Sequence, residues 1–152
     1  LDESYEIMLW ALNKNDPEDW QVMPTLGHDL IAYADGPFKD ALDKTKYASR
    51  YPEEDMIVNR QKAKDFLLTL NLMLTEGCLF GSKTTLADMA ILPFVRQFAF
   101  IDKSWFDSQP WPNLQKWLDS FLLSNLFASA MQKYPRWQPA DEVIYFPVGK
   151  TN

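Results

Sequence analysis

Thr84-Thr85-Leu86-Ala87-Asp88-Met89-Ala90-Ile91 stands directly before a long apolar run. This order predicts a helix N-terminus that carries its own lock. The Thr85 hydroxyl can cap the first turn, and Asp88, three residues on, can reach back to the Thr85 backbone N–H. Its negative charge also falls at the positive end of the helix dipole. From Leu86 to about Ile101, one face carries Leu86, Met89, Ala90, Pro93, Phe94, Gln97, Phe98 and Ile101. Ile91, Leu92, Val95 and Phe100 make the opposite face apolar as well. A helix apolar on nearly every side belongs at the centre of a fold. Pro93 should bend it, because its ring removes one backbone bond.

Outward from this helix, the rest of the chain also reads as helical. Ser4 is a candidate cap for a helix reaching about Asn13, with Ile7, Met8, Ala11 and Leu12 on one face. Asn15-Asp16-Pro17 stops it. A second helix starts near Thr25, and Asp35-Gly36-Pro37 should kink or break it before Phe38 resumes the pattern. A third opens at the acidic Pro52-Glu53-Glu54-Asp55, carries Phe66, Leu67, Leu70, Met73 and Leu74 as a stripe, and ends at Gly77. Asp102 to Asp107 reads as a loop or single turn. A further helix begins between Pro110 and Asn113 with Leu114, Trp117, Leu118, Phe121 and Leu122 inward. Asn125 interrupts it before a last short helix, Leu126 to Gln132. Val143-Ile144-Tyr145-Phe146 is expected as an extended tail. The sum is one all-α helical bundle around a buried central helix.

Composition narrows the function classes. With 152 residues and 47% hydrophobic content, the chain is long enough for one domain with a packed core. A net charge of −6 argues against a nucleic-acid surface. No apolar run approaches the roughly 20 residues of a membrane span. Cys78 is the only cysteine, which fits a reducing, cytoplasmic compartment, and its apolar setting reads as an inert buried thiol. His28 is the only histidine, so a multi-histidine metal site is excluded and no metal is expected.

The capped central helix, the run Pro93-Phe94-Val95-Arg96-Gln97-Phe98-Ala99, then Trp105-Phe106 and Trp117-Leu118, resemble the C-terminal helical domain of bacterial soluble glutathione S-transferases. Asp35-Gly36-Pro37-Phe38-Lys39 with Leu42-Asp43 and Lys46-Tyr47 has the same look. The resemblance implies a domain over residues 16–152. It also implies that residues 1–15 are the last helix of a thioredoxin-like N-terminal domain. There Asp2-Glu3-Ser4-Tyr5-Glu6-Ile7 resembles the segment whose acid and serine hold the γ-glutamyl end of glutathione, so Glu3 and Ser4 are candidate glutathione ligands. The chemistry fits: a carboxylate pairs with an ammonium, while a hydroxyl and helix N–H groups receive a carboxylate. Tyr33, Phe38 and Trp105 are candidates for an apolar electrophile pocket. Thr85 and Asp88 are expected to be a structural cap with no chemistry.

The Tyr, Ser or Cys that activates the glutathione thiol in this family lies upstream of the segment that Leu1 begins. The opening, without an initiator methionine, therefore reads as a trimmed or incomplete chain that is inactive alone. The intact parent would conjugate glutathione to an apolar electrophile or use it as a reductant. The alternative is a non-catalytic helical module of the same fold. On either reading the uncovered apolar face calls for a homodimer, a protein partner or the thioredoxin-like domain.

Overall fold

The computed structural model describes residues 2–53 and 55–143, with the side chains of Ala48 and Met56 outside that description. It holds helices α1 (Ser4–Lys14), α2 (Thr25–Tyr33), α3 (Lys39–Lys46), α4 (Met56–Met73), α5 (Leu86–Ala99), α6 (Lys103–Ser108), α7 (Pro112–Leu122) and α8 (Asn125–Ala130). Among the described residues no strand forms; Cys78 and Gly81 make one isolated antiparallel bridge. The chain falls into two compact units, Leu1–Leu118 and Asp119–Asn152.

The first unit holds the core. In α5, the residues Leu86, Ala87, Asp88, Ala90, Ile91, Leu92, Val95, Phe98 and Ala99 are buried. α2 and α3 pack against it, and α3 also packs along α4. The stripe expected on α4 is inward: Phe66, Leu67, Leu70 and the following Leu74 are all buried. Gly77 ends this segment at φ 103°, a left-handed conformation that favours glycine.

Four local expectations change. The helix expected to kink or break at Asp35-Gly36-Pro37 does not break: it continues through a π-helical turn, Ala34–Phe38, into α3. Pro37 has no N–H for the Tyr33 carbonyl. The wider turn absorbs that loss, and the Lys39 N–H reaches back to the Ala34 carbonyl. Ser4 is not a cap: Glu3 holds the extended N-cap position, and no side chain bonds there. The helix expected to open at Pro52 begins at Met56, and Asp55 caps it by accepting the Ile57 N–H at 2.7 Å. Asp102 to Asp107, expected as a loop or single turn, is longer than one turn: Asp102 accepts the Trp105 N–H at 3.0 Å and starts the six-residue helix α6.

The faces of α5 also differ from the reading. Pro93, Gln97 and Phe100 are exposed and Met89 is half-buried, so one strip of the central helix meets water. Proline supplies the reason. α5 runs unbroken through Pro93, which has no N–H to donate to the Met89 carbonyl, and on the solvent side water can serve that oxygen.

A capping bond joins distant segments. Asn71 on α4 is buried, and its Oδ1 accepts the backbone N–H groups of Asn113 and Leu114 at 3.0 and 3.1 Å. The Asn113 amide returns a bond to the Asn71 carbonyl at 3.2 Å. α4 thus supplies the cap for α7, whose first residue, Pro112, needs no donor.

In the second unit, Ser124 caps α8 by accepting the Phe127 N–H at 3.1 Å, and Phe121 meets Phe127 edge-on at 5.2 Å. Val143 of the expected tail is exposed. Ile144 to Phe146 lie outside the described residues.

Candidate functional site

The aromatic residues of the first unit form a connected series. Tyr33 stacks on Phe66 at 4.9 Å, Phe66 on Phe38 at 5.1 Å, and Phe38 on Phe98 at 5.7 Å. Phe98 meets Trp105 at 6.1 Å, and Trp105 meets Trp111 at 5.8 Å. Helix spacing and the π turn put Tyr33 and Phe38 on the side facing α4. Tilted and edge-on pairs of this kind suit the ring quadrupole.

Only part of this series reaches solvent. Phe38 is 1% exposed and belongs to the wall behind any pocket rather than to its lining. Tyr33 is 43% exposed. With Asp29, Leu30, Asp65, Phe66 and Thr69 it lines an open groove of about 370 Å³ between α2 and α4. Trp105 is half-buried at the far end, with the Arg60 guanidinium 4.6 Å from its ring and Arg60 itself 3.8 Å from Asp102. The three candidate pocket residues therefore share one aromatic series but not one cavity.

Leu30, Phe66 and Thr69 were missed because their residue types read as core or surface. Only the juxtaposition of two helices marks them. The groove offers an aromatic floor, a phenol and two carboxylates, which suits binding of a flat apolar body.

Glu3 and Ser4 lie at the exposed start of α1. Glu3 is extended, at φ −95° and ψ 141°, and Ser4 is the first helical residue. α1 buries none of its residues; Ile7 is 46% and Trp10 54% exposed. The Tyr5 hydroxyl joins His28 Nδ1 at 2.7 Å, linking α1 to α2, and partial burial pushes its pKa up.

The start of α5 is the opposite case. Asp88 is 1% exposed. Its Oδ2 accepts the Thr85 backbone N–H at 2.9 Å and the Thr85 hydroxyl at 2.8 Å. Its Oδ1 accepts the Leu79 N–H at 2.9 Å and the Trp117 indole N–H at 3.1 Å. The capping box is complete, and the Leu86 N–H is held by the Trp20 carbonyl at 2.8 Å. One carboxylate so ties the connector, the helix start and α7 together, and no acceptor is left over for a substrate.

Cys78 is half-buried with its sulfur 3.7 Å from the Thr84 hydroxyl. Burial pushes its pKa up, against the pull of the Thr84 hydrogen bond, while the nearby Asp88 charge pushes the same way as burial. Such a thiol is a poor nucleophile. Among the described residues, no group of His, Cys, Asp and Glu is arranged to hold a metal. Nor is any helix long and apolar enough to cross a membrane.

These features define an all-α domain built on a buried, box-capped helix with an aromatic groove at its side. Residues 22–125 match the family described as glutathione S-transferase, C-terminal domain, and the chain belongs to that family. No curated protein and no solved structure matches the chain.

Proposed function

We propose that this domain serves glutathione transfer, holding an apolar electrophile beside bound glutathione. The observation that carries the reading is the family match over residues 22–125. The groove where exposed Tyr33 packs on Phe66 supports it by offering a surface for a flat apolar body. In this reading residues 1–15 close a thioredoxin-like domain that supplies the activating Tyr, Ser or Cys. Residues 16–152 form the helical domain. The Glu3 carboxylate pairs with the glutathione ammonium, and Ser4 with the open N–H groups of α1 receives its carboxylate.

The chemistry balances simply. The glutathione thiol gives up its proton, the thiolate sulfur bonds to the electrophilic carbon, and a leaving group departs with its electron pair. Reduction of a disulfide by the same thiolate is the variant. The protein works in the cytoplasm as a homodimer on this reading, consistent with its single, inert cysteine.

Calorimetric titration with glutathione, on this chain and on the polypeptide as its gene encodes it, tests the proposal. Binding and turnover of an aromatic electrophile by the encoded protein are expected, with no acceleration by the 152-residue chain alone. An encoded protein that binds no glutathione overturns the function. Tight binding by the 152-residue chain overturns the assignment of most of the site to a thioredoxin-like domain.

A further inference from the structure

The groove between α2 and α4 carries a charge that a purely apolar ligand would leave unused. Its lining is Asp29, Leu30 and Tyr33 from α2, with Asp65, Phe66 and Thr69 from α4. Two of these six side chains are carboxylates and none is a cation. Thr69 donates its hydroxyl to the Asp65 backbone carbonyl at 2.9 Å, which leaves its oxygen as an acceptor. Apart from the Tyr33 phenol, the polar lining can therefore only accept hydrogen bonds.

Carboxylates are common on a chain of net charge −6, and most need no ligand. Several others in the molecule meet a cation. Asp35 pairs with Lys39, Asp40 with Lys44, Asp19 with Lys83, Asp107 with Lys103 and Asp102 with Arg60. Asp29 and Asp65 join no ion pair among the described residues. The sequence around each gives the reason. No Lys or Arg stands three or four places from Asp29. Lys62, three places before Asp65, turns instead to Asn59 Oδ1 at 3.4 Å. An ordinary solvated surface accounts for either acid alone. It does not account for two unpaired acids from two helices flanking one open aromatic ring.

We infer that this groove binds an aromatic body that carries a positive charge, of the aryl-alkyl ammonium class. The aromatic body packs against Leu30, Tyr33 and Phe66, and the ammonium donates to the Asp29 and Asp65 carboxylates. The face of Tyr33, which is 43% exposed, attracts the same charge through its ring quadrupole. The inference rests on the reading of this groove as the electrophile pocket and deepens it: the electrophile is cationic.

The test is calorimetric titration of the full chain with 2-naphthylmethylammonium in the absence of glutathione. Three comparisons accompany it: neutral 2-naphthalenemethanol, 2-naphthalenesulfonate and ethylammonium. The aryl ammonium should bind one-to-one, about tenfold or more tighter than the alcohol, and its affinity should fall as salt rises. Asp29→Asn combined with Asp65→Asn should bring it down to the affinity of the alcohol. Tyr33→Leu keeps apolar bulk but loses the ring face, and should weaken the ammonium by a smaller factor. All three positions are exposed, and circular dichroism checks that the variants fold. Shifts of the Tyr33 ring and Thr69 methyl resonances locate the site in the unmodified protein. Alcohol or sulfonate binding as tightly as the aryl ammonium, or a double variant that keeps the preference, overturns the charge selection and leaves the groove an apolar pocket. Ethylammonium binding as tightly as the aryl ammonium overturns the aromatic half of the inference. If no naphthalene binds, the groove is not the electrophile pocket, and the inference falls with that part of the reading.

Discussion

Two helix starts in this molecule carry an acid beside a hydroxyl residue, and they do opposite things. At α5 the Asp88 carboxylate is buried and accepts four hydrogen bonds, two of them from Thr85. At α1 Glu3 and Ser4 are exposed, and no side chain caps the helix. The residue types are alike; the surroundings decide. A saturated, buried carboxylate can only hold the fold together. An open helix start keeps its N–H groups and its charge available to an outside molecule.

The sharpest way to break the comparison is at Asp88. Asp88→Ala strands the Leu79 N–H, the Thr85 N–H and the Trp117 indole N–H in the interior. At about 1–3 kcal/mol for each unsatisfied buried group, partly relieved by water, a loss of about 3 kcal/mol or more is expected. Asp88→Asn keeps one acceptor oxygen and should lose less. Urea denaturation of both variants checks the order. If Asp88→Ala is as stable as the parent, the lock is not what holds α5 in place.

Asn71 comes next. Asn71→Ala removes the cap that α4 lends to α7, with an expected loss of about 1–2 kcal/mol. Hydrogen exchange should show the effect locally, as faster exchange at the Asn113 and Leu114 amides. Unchanged exchange at those two amides would mean that α7 does not depend on the long-range cap.

These two sites also show what a sequence can disclose. The box of α5 was legible because both partners sit within four residues, where backbone geometry fixes their separation. The partners of Asn71 lie 42 and 43 positions away, and only the folded chain brings them together. The same limit applies to Leu79 and Trp117 around Asp88. It also governs the groove, whose lining comes from α2 with α4. The continuation through Pro37 was not legible for another reason. A proline is incompatible with an ideal α-turn, and the expectation of a break assumed that turn, whereas a π turn tolerates the missing donor. Short α6 has too few residues to show a period. Phe38 and Tyr33 have the same aromatic signature, and nothing local tells the buried ring from the exposed one.

A smaller effect should appear as pH dependence at the loop leading into α2. Asp16 accepts the Trp20 and Gln21 N–H groups at 2.9 and 3.0 Å. The Gln21 backbone bond is the main cause of a pKa below the ordinary carboxylate value. Desolvation opposes it, and the Trp20 bond, the Gln21 side chain and the Lys83 charge assist. An acid with a depressed folded pKa adds stability above its unfolded pKa, about 3.9, and loses it as pH falls through the lower folded value. Asp16→Asn should therefore melt below the parent at neutral pH and converge on it in acid. Parallel melting curves across that range would remove Asp16 as a stabilising acceptor.

The smallest expected effect on folding sharpens the contrast from the other side. Glu3→Gln and Ser4→Ala touch no described hydrogen bond at the α1 cap, and both residues are exposed. Stability should stay within about 0.5 kcal/mol of the parent, as for ordinary surface substitutions. If the open helix start is a ligand site, glutathione affinity of the gene-encoded protein should fall in both variants while the melting temperature holds. Glu3→Gln should lose more, because it removes the charge that pairs with the ammonium. The two helix starts would then separate cleanly, Asp88 moving stability without a ligand and Glu3 moving affinity without stability. Loss of stability in Glu3→Gln, with affinity unchanged, would make α1 a structural start like α5 and remove the γ-glutamyl contact from the proposed site.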